Sequence, residues 1–237
     1  MLVLGIDTSS VVASIAIATE DKILGEFTIN HPKTHSQKLM PMVDQLLKNL
    51  ELTVKDLDLI AITVGPGSFT GVRIGISIAK GFAQAYNIPV VEISGVEGLA
   101  YNIQHFGGVI CPIMDARRNQ VYSGVYKWND GNLDEVVKED AYNLDVMIEI
   151  LKEKTEGYHD KRVIFVGDGV AVHKEVIAEK LGSKAVFANA ANVLQRGSSV
   201  ALLGSQNREK AKSYDDVHAN YLRKSQAERE YDERQAK

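Results

Sequence analysis

Two turns near the start of the chain carry side chains that could hold a metal ion or a phosphate. The first follows an apolar segment, and it brings a carboxylate at Asp7 together with hydroxyls at Thr8 and Ser9 where a strand should end. An ATPase can use such a group to bind magnesium and phosphate oxygens. The same three side chains also suit a hairpin turn that caps its own backbone. The segment alone favours neither use.

The second turn reads GPGSFTGVRIG from Gly65 to Gly75 and stands between an apolar strand and an amphipathic helix. The start of a helix presents free N–H groups to an anion, which makes Gly67 and Ser68 candidate phosphate ligands. The run matches neither of the common phosphate-binding motifs, G-x-x-x-x-G-K-[ST] and G-x-G-x-x-G. A close packing turn capped by Ser68 or Thr70 is the alternative.

Two segments of the second half complete a possible nucleotide cleft. Arg117 and Arg118 follow a predicted strand, at the place where a two-lobed ATPase would have a second, glycine-rich phosphate hairpin. Guanidinium groups would fill that space or bind an acidic partner, and ordinary ion pairs explain them equally well. The run Gly167-Asp168-Gly169 could approach an adenine or a ribose, and a turn that leads into a helix explains it as well.

The remaining side chains do not assemble into a metal site or a catalytic group. His31 and His35 have the H-x-x-x-H spacing of a metal site, but Pro32 between them keeps the rings off a single helical face. The single cysteine, Cys111, excludes an intramolecular disulfide and a zinc site built from several cysteines. We therefore expect no metal, no cofactor and no catalytic residue.

Composition indicates a globular protein of one large domain or two lobes. The 237 residues carry 27 Lys+Arg against 31 Asp+Glu, a formal net charge of -4, which disfavours independent binding of nucleic acid. The chain begins without the pattern of a secretory signal, and no apolar run reaches the ~20 residues that span a membrane. We predict a cytoplasmic protein with no membrane association.

Hydropathy patterns predict an α/β fold of two lobes, each a mixed sheet flanked by helices. We assign residues 1–105 to the first lobe, 106–222 to the second, and 223–237 to a charged C-terminal helix or tail with five Lys+Arg and four Asp+Glu. The first lobe has predicted strands at 2–6, 11–18, 23–29, 59–64 and 90–93, and predicted helices at 36–50 and 72–86. The second has predicted strands at 109–114, 121–126, 133–138 and 163–166, and predicted helices at 144–151 and 170–181. The repeated order indicates a structural duplication.

The helix after the glycine-rich turn has a ridge of small residues. Gly71, Gly75, Ala79 and Ala83 recur every four positions, beside a row formed by Ile74, Ile78 and Phe82. Such a ridge lets another backbone approach closely. That backbone could belong to its own sheet, to the helix at 36–50, or to another protein, and the pattern favours packing within the chain for most of the ridge.

Six motifs occur in order along the chain and cover it from Gly5 to Arg223. They are GIDTSS at residue 5, HSQKLMPMV at 35, GPGSFTGVRIG at 65, MDARR at 114, GDG at 167 and YLR at 221. Together they resemble the TsaB (YeaZ) family of bacteria. The resemblance implies the two-lobed fold of the actin, Hsp70 and sugar-kinase superfamily. It also implies a part in forming N6-threonylcarbamoyladenosine at position 37 (t6A37) of tRNAs that read codons beginning with A.

In that resemblance the transfer itself belongs to the relative TsaD, which uses a metal held by an H-x-x-x-H motif. Gly95 and Leu99 stand at those positions here, and neither side chain can bind a metal. The resemblance therefore implies a non-catalytic subunit, which is not an active peptidase.

The resemblance further implies partners. TsaD would bind the helices at Leu39–Leu50 and Val72–Tyr86, and a second copy of the chain would use the same surface when the chain is isolated. The contact residues expected on these helices are Met42, Leu46, Gly71, Gly75, Ile78 and Phe82. TsaE would join the machinery, and tRNA would be contacted only within the complex. Independently of the resemblance, the positive charges of Arg117, Arg118 and Arg223 could add local contacts to tRNA inside a complex.

An enzyme is the alternative hypothesis. An independent ATP-dependent small-molecule kinase or ATPase would use Asp7 for magnesium and Gly67 to Gly71 for phosphate. The two hypotheses differ in whether the isolated chain binds Mg-ATP.

Overall fold

The computed structural model describes residues 1–31 and 35–223. The first sheet contains β1 (Val3–Asp7), β2 (Val12–Ala18), β3 (Ile23–Asn30), β4 (Leu59–Thr63) and β5 (Val90–Ile93). Its order is β3-β2-β1-β4-β5, with β1, β2 and β3 antiparallel and β4 and β5 parallel to β1. The predicted meander followed by parallel strands is therefore confirmed.

The described residues of the first half also form three α-helices. They are α1 (His35–Asn49), α2 (Phe69–Tyr86) and α3 (Gly95–Tyr101). Helices α1 and α2 bury one apolar face each in a core shared with β1, β2 and β4. The short α3, which periodicity did not predict, packs its apolar residues against the second sheet.

The second sheet repeats the strand order of the first. It contains β6 (Val109–Asp115), β7 (Gln120–Asn129), β8 (Asn132–Asn143), β9 (Val163–Val166) and β10 (Ala185–Phe187), with α4 (Leu144–Thr155), α5 (Gly169–Leu181) and α6 (Gly197–Gln206) in the same half of the chain. Read from β8, the order is β8-β7-β6-β9-β10, which matches β3-β2-β1-β4-β5 of the first sheet. The two halves therefore share a topology, as expected of a duplication.

Helix α6 belongs in space to the first sheet, although it lies in the range 106–222 that we assigned to the second lobe. The approach is so close that a Cβ added at Gly5 would lie 2.2 Å from the carbonyl oxygen of Gly197. A Cβ added at Gly204 would lie 2.3 Å from the Cβ of Ala61. Small residues on both elements thus let α6 cover the face of the first sheet opposite α1 and α2.

The start of α6 is held by a carboxylate from β3. Glu26 accepts hydrogen bonds from the backbone N–H of Ser198 (3.0 Å) and from the guanidinium of Arg196 (2.6 Å to Nη2). Burial alone would raise the pKa of Glu26, but the hydrogen bonds from Arg196 and Ser198 outweigh it and hold the pKa below the usual 4.5. Negative charge at a helix N-terminus is favourable in itself.

We expect Glu26→Ala to lower the free energy of unfolding by about 2 to 3 kcal/mol, because it breaks a half-buried ion pair and removes a helix cap. Since the folded-state pKa is lowered, this stability is present above pH 4.5 and is lost as the pH falls through the folded pKa. Urea unfolding at pH 7 and at pH 3.5 measures both effects. Glu20→Ala is the matched control, because its pair with Arg208 is solvent-exposed and should contribute at most about 1 kcal/mol. Equal losses in the two variants would contradict the prediction.

Two further expectations concern the ends and the environment of the chain. The predicted charged tail at 223–237 lies outside the described residues, except for Arg223. Across residues 1–31 and 35–223, no helix has both the length and the apolar character needed to cross a membrane.

Candidate functional site

The turn after β1 is held by hydrogen bonds to the carboxylate of Asp7. One carboxylate oxygen of Asp7 accepts from the backbone N–H (2.8 Å) and the hydroxyl (2.7 Å) of Ser9, and the other accepts from the Thr63 hydroxyl (2.9 Å). Asp7 is 1% exposed. Burial raises the pKa of Asp7, and these hydrogen bonds oppose the rise. The geometry matches a self-capped turn, in which Ser9 and Thr63 hold the buried carboxylate by three hydrogen bonds.

The glycine-rich turn packs directly on this first turn. The backbone N–H of Ser68 donates to the Ser9 carbonyl oxygen at 2.7 Å. Gly67 has a φ of +149°, and a Cβ added there would lie 2.1 Å from the same oxygen. The hydroxyl of Ser68 caps α2 by accepting from the Gly71 N–H. The structure thus brings Asp7, Thr8 and Ser9 together with Gly67 and Ser68, as the sequence predicts, but as a packed junction.

The corresponding turns of the second lobe are also used for packing. A Cβ added at Gly167 (φ +112°) would lie 2.3 Å from the Ile113 carbonyl oxygen, and one at Gly169 would lie 2.9 Å from it. Asp168 precedes α5, and burial raises its pKa to about 6. The run Gly167-Asp168-Gly169 therefore joins α5 tightly to β6.

Arg117 and Arg118 lie at the tip of the β6–β7 hairpin. Both residues are exposed. The backbone N–H of Arg117 donates to the Asp115 carboxylate at 2.9 Å, so this part of the turn is occupied by the chain itself. The hairpin presents side chains to solvent, which differs from a nest of bare backbone donors.

The positions equivalent to a metal-binding H-x-x-x-H motif are filled by packing residues. The backbone N–H of Gly95 donates to the Gly65 carbonyl oxygen at 2.9 Å, so α3 begins against the glycine-rich turn. Leu99 is 1% exposed and belongs to the core. His35 begins α1 with its Nε2 atom 2.8 Å from the Ser10 carbonyl oxygen. Within the described part of the chain, no group of three His, Cys, Asp or Glu residues is placed to hold a metal ion.

The predicted docking residues divide into two groups. Met42, Leu46, Gly71 and Gly75 are buried within the chain, so they are corrected here to core residues. The reason is that the ridge of small residues faces its own lobe: a Cβ at Gly71 would lie 2.1 Å from the Thr8 carbonyl oxygen. Ile78 and Phe82 are half-buried at the edge of that core.

The accessible part of α2 lies beside these two residues. We define the α2 outer face as Ser77, Ile78, Gly81, Phe82 and Ala85, of which Ser77, Gly81 and Ala85 are exposed. Gly81 has no atom within 4 Å of an added Cβ. This face is small-sided and partly apolar, and it is the portion of the predicted surface that a partner can reach.

A C-terminal strap, which we define as Asn220 to Arg223, joins the two lobes. The Asn220 N–H donates to the Val64 carbonyl oxygen at 2.7 Å, and the Tyr221 ring stacks on Phe69 with centroids 4.4 Å apart. At the other end, Arg223 donates to the Ala116 carbonyl oxygen at 2.8 Å. The sequence showed this segment only as the YLR motif, because residue spacing alone does not reveal which distant residues the strap contacts.

Two five-stranded sheets with the same strand order, and a glycine-rich turn packed on the Asp7 turn after β1, define an α/β protein built from two lobes of one topology. The family model described as "TsaD: tRNA N6-adenosine threonylcarbamoyltransferase" matches residues 22–231. A protein of Bacillus subtilis named tRNA threonylcarbamoyladenosine biosynthesis protein TsaB is 40% identical over 99% of this chain and 100% of its own length. The chain belongs to the TsaB family.

Solved structures agree with this assignment. A Pseudomonas aeruginosa protein described as similar to peptidase YeaZ has a TM-score of 0.76 and 26% identity, and covers 94% of this chain and 99% of its own. A second structure, YeaZ from Pseudomonas aeruginosa, has a TM-score of 0.74 and 25% identity, over 93% of this chain and 99% of its own.

Proposed function

We propose that this chain is a non-catalytic subunit required for the formation of t6A37 in tRNAs that read codons beginning with A. It acts in the cytoplasm by binding and supporting the threonylcarbamoyltransferase TsaD. The observation that carries the proposal is the full-length match to a relative named for threonylcarbamoyladenosine biosynthesis. TsaE joins the assembly, tRNA is contacted within it, and the isolated chain forms a homodimer.

The contacts of Asp7, Gly67 and Ser68 favour a non-catalytic role for this subunit. Both carboxylate oxygens of Asp7 are used by Ser9 and Thr63, and Gly67 and Ser68 are packed on the Ser9 carbonyl. An independent kinase would need Asp7 free to hold magnesium. A calorimetric titration of the isolated chain with Mg-ATP separates the two hypotheses: we expect no micromolar binding, and binding that Asp7→Ala removes would favour the kinase.

The α2 outer face supports the same role as a docking site. It combines half-buried Ile78 and Phe82 with exposed small residues, so a partner helix can approach closely and cover apolar surface. Met40 of α1 adds a further exposed apolar side chain, at 46% exposure. The homodimer uses this face when TsaD is absent.

Depletion of the chain tests the proposed function. We expect t6A in bulk tRNA, measured by mass spectrometry of nucleosides, to fall at least tenfold and to recover when the wild-type chain is expressed again. In a reconstituted reaction, transfer should require TsaD together with this chain. Unchanged t6A after depletion, or transfer by this chain without TsaD, would refute the proposal.

A further inference from the structure

The tip of the β6–β7 hairpin has an uncommon backbone. Arg117, Arg118 and Asn119 are three consecutive residues with positive φ, at 63°, 56° and 58°. Asparagine tolerates this left-handed conformation, but for arginine it is unfavourable relative to glycine. Such strain persists where the surrounding structure holds it, and it is most frequent at functional sites. The two arginines therefore stand at positions that glycine would fill at lower energy.

The C-terminal strap brings a third arginine to the same tip. Arg223 donates to the Ala116 carbonyl oxygen at 2.8 Å, which seats its guanidinium beside the hairpin. The strap is itself anchored, because Arg73 donates to the Tyr221 hydroxyl at 2.7 Å and Tyr221 stacks on Phe69. The position of Arg223 next to the hairpin is thus set by contacts with both lobes.

The two hairpin arginines, Arg117 and Arg118, have no acidic partner among the residues that the structure describes. Neither Arg117 nor Arg118 forms an ion pair with any of them. The neighbouring carboxylate, Asp115, accepts the backbone N–H of Arg117 and lies 3.9 Å from Nε2 of His173, so it is directed to the base of the hairpin. Ordinary internal ion pairing, the alternative that the sequence left open, therefore does not account for the pair.

The surroundings of the tip indicate the class of partner. Residues 115–120 read DARRNQ, and this stretch holds no large apolar side chain. Protein interfaces need an apolar core, whereas interfaces with nucleic acid are polar and strongly positive. We propose that the hairpin arginines Arg117 and Arg118, with Arg223 beside them, bind the phosphate backbone of a nucleic acid. The proposal rests on the proposed function, in which that nucleic acid is the tRNA bound by the assembly.

Salt dependence of tRNA binding tests the proposal in the assembled complex with TsaD. The variant Arg117→Gly/Arg118→Gly removes both charges and places glycine where φ is positive, so it should fold at least as stably as the wild type. Two lost phosphate contacts should reduce the slope of log K against log salt by about 1.5, which weakens binding about 30-fold at 100 mM salt if the two affinities are equal at 1 M. Arg208→Ala is the control, because it removes an exposed arginine far along the chain and should leave the slope within about 0.3 of wild type.

The outcomes separate this proposal from the proposed function. A lower slope with normal co-elution with TsaD supports phosphate binding, and Arg117→Lys/Arg118→Lys should then restore most of the slope. An unchanged slope overturns the phosphate contact, while wild-type support of t6A formation leaves the proposed function standing. Loss of co-elution with TsaD at an unchanged slope would assign the hairpin to a protein contact and would also overturn it.

Discussion

Gly81→Trp is expected to abolish co-elution of this chain with TsaD and to reduce t6A formation in the reconstituted reaction at least a hundredfold. The side chain would stand at the centre of the α2 outer face, between exposed Ser77 and Ala85, where nothing lies within 4 Å of an added Cβ. A partner that packs on small residues would meet an indole ring instead. The chain itself should keep its stability, because tryptophan is a better helix residue than glycine by roughly 0.5 kcal/mol.

Gly157→Trp is the matched control for this variant. Gly157 is exposed in the second lobe and also has open space around an added Cβ. It should co-elute with TsaD and support t6A formation as the wild type does. Undiminished binding of Gly81→Trp would remove the α2 outer face from the proposal, whereas equal loss in both variants would point to a general effect of the bulky side chain.

Gly71→Ala is expected to lower the free energy of unfolding by about 3 kcal/mol, although alanine is the better helix former. The added Cβ would lie 2.1 Å from the backbone oxygen of Thr8, so either α2 or the turn after β1 must move. The hydrogen bond from the Thr8 hydroxyl to the Gly71 carbonyl (2.8 Å) would be strained by the same movement. Urea unfolding measures the loss.

At Gly81 of the same helix, we expect the same substitution to have the opposite effect on stability. Gly81→Ala should raise the free energy of unfolding by about 0.5 to 1 kcal/mol, because its Cβ meets open space and alanine restricts the unfolded chain. The pair compares one substitution at two positions of α2, so it isolates the close approach from helix propensity. A loss below about 0.5 kcal/mol for Gly71→Ala would show that the junction can adjust.

The sequence predicted close packing along α2 and favoured a contact within the chain for most of the ridge, which the fold confirms, but it did not identify the turn after β1 as that contact. A ridge of Gly71, Gly75 and Ala79 requires a near backbone, and the pattern is the same whether that backbone is internal or foreign. In the fold, the turn after β1 takes this place, so Met42 and Leu46 of α1 are core residues as well. What a partner can reach is the flank of the ridge, which begins with Ile78.

Local sequence patterns predicted most strands and helices. They failed where contacts between residues distant in the sequence determine the structure. Helix α6 has weak helical periodicity because Gly197, Ala201 and Gly204 serve contact with the first sheet. The spacing of its small residues was the available signal, but it could be interpreted only together with Gly5, which lies about 190 residues earlier in the sequence. Asp7 was likewise ambiguous, because its hydrogen bond from Thr63 joins two strands that are remote in sequence.

Because α6 packs on the first sheet, the first lobe can complete its fold only after α6 has been synthesised. Until residue 206 has left the ribosome, one face of β1, β4 and β5, with Val3, Leu59 and Ile93, has no cover from Val200 and Leu203. Pairings of such long sequence separation form late and leave apolar surface open to aggregation. We therefore expect the need for a chaperone to be greatest during synthesis, before α6 covers the first sheet.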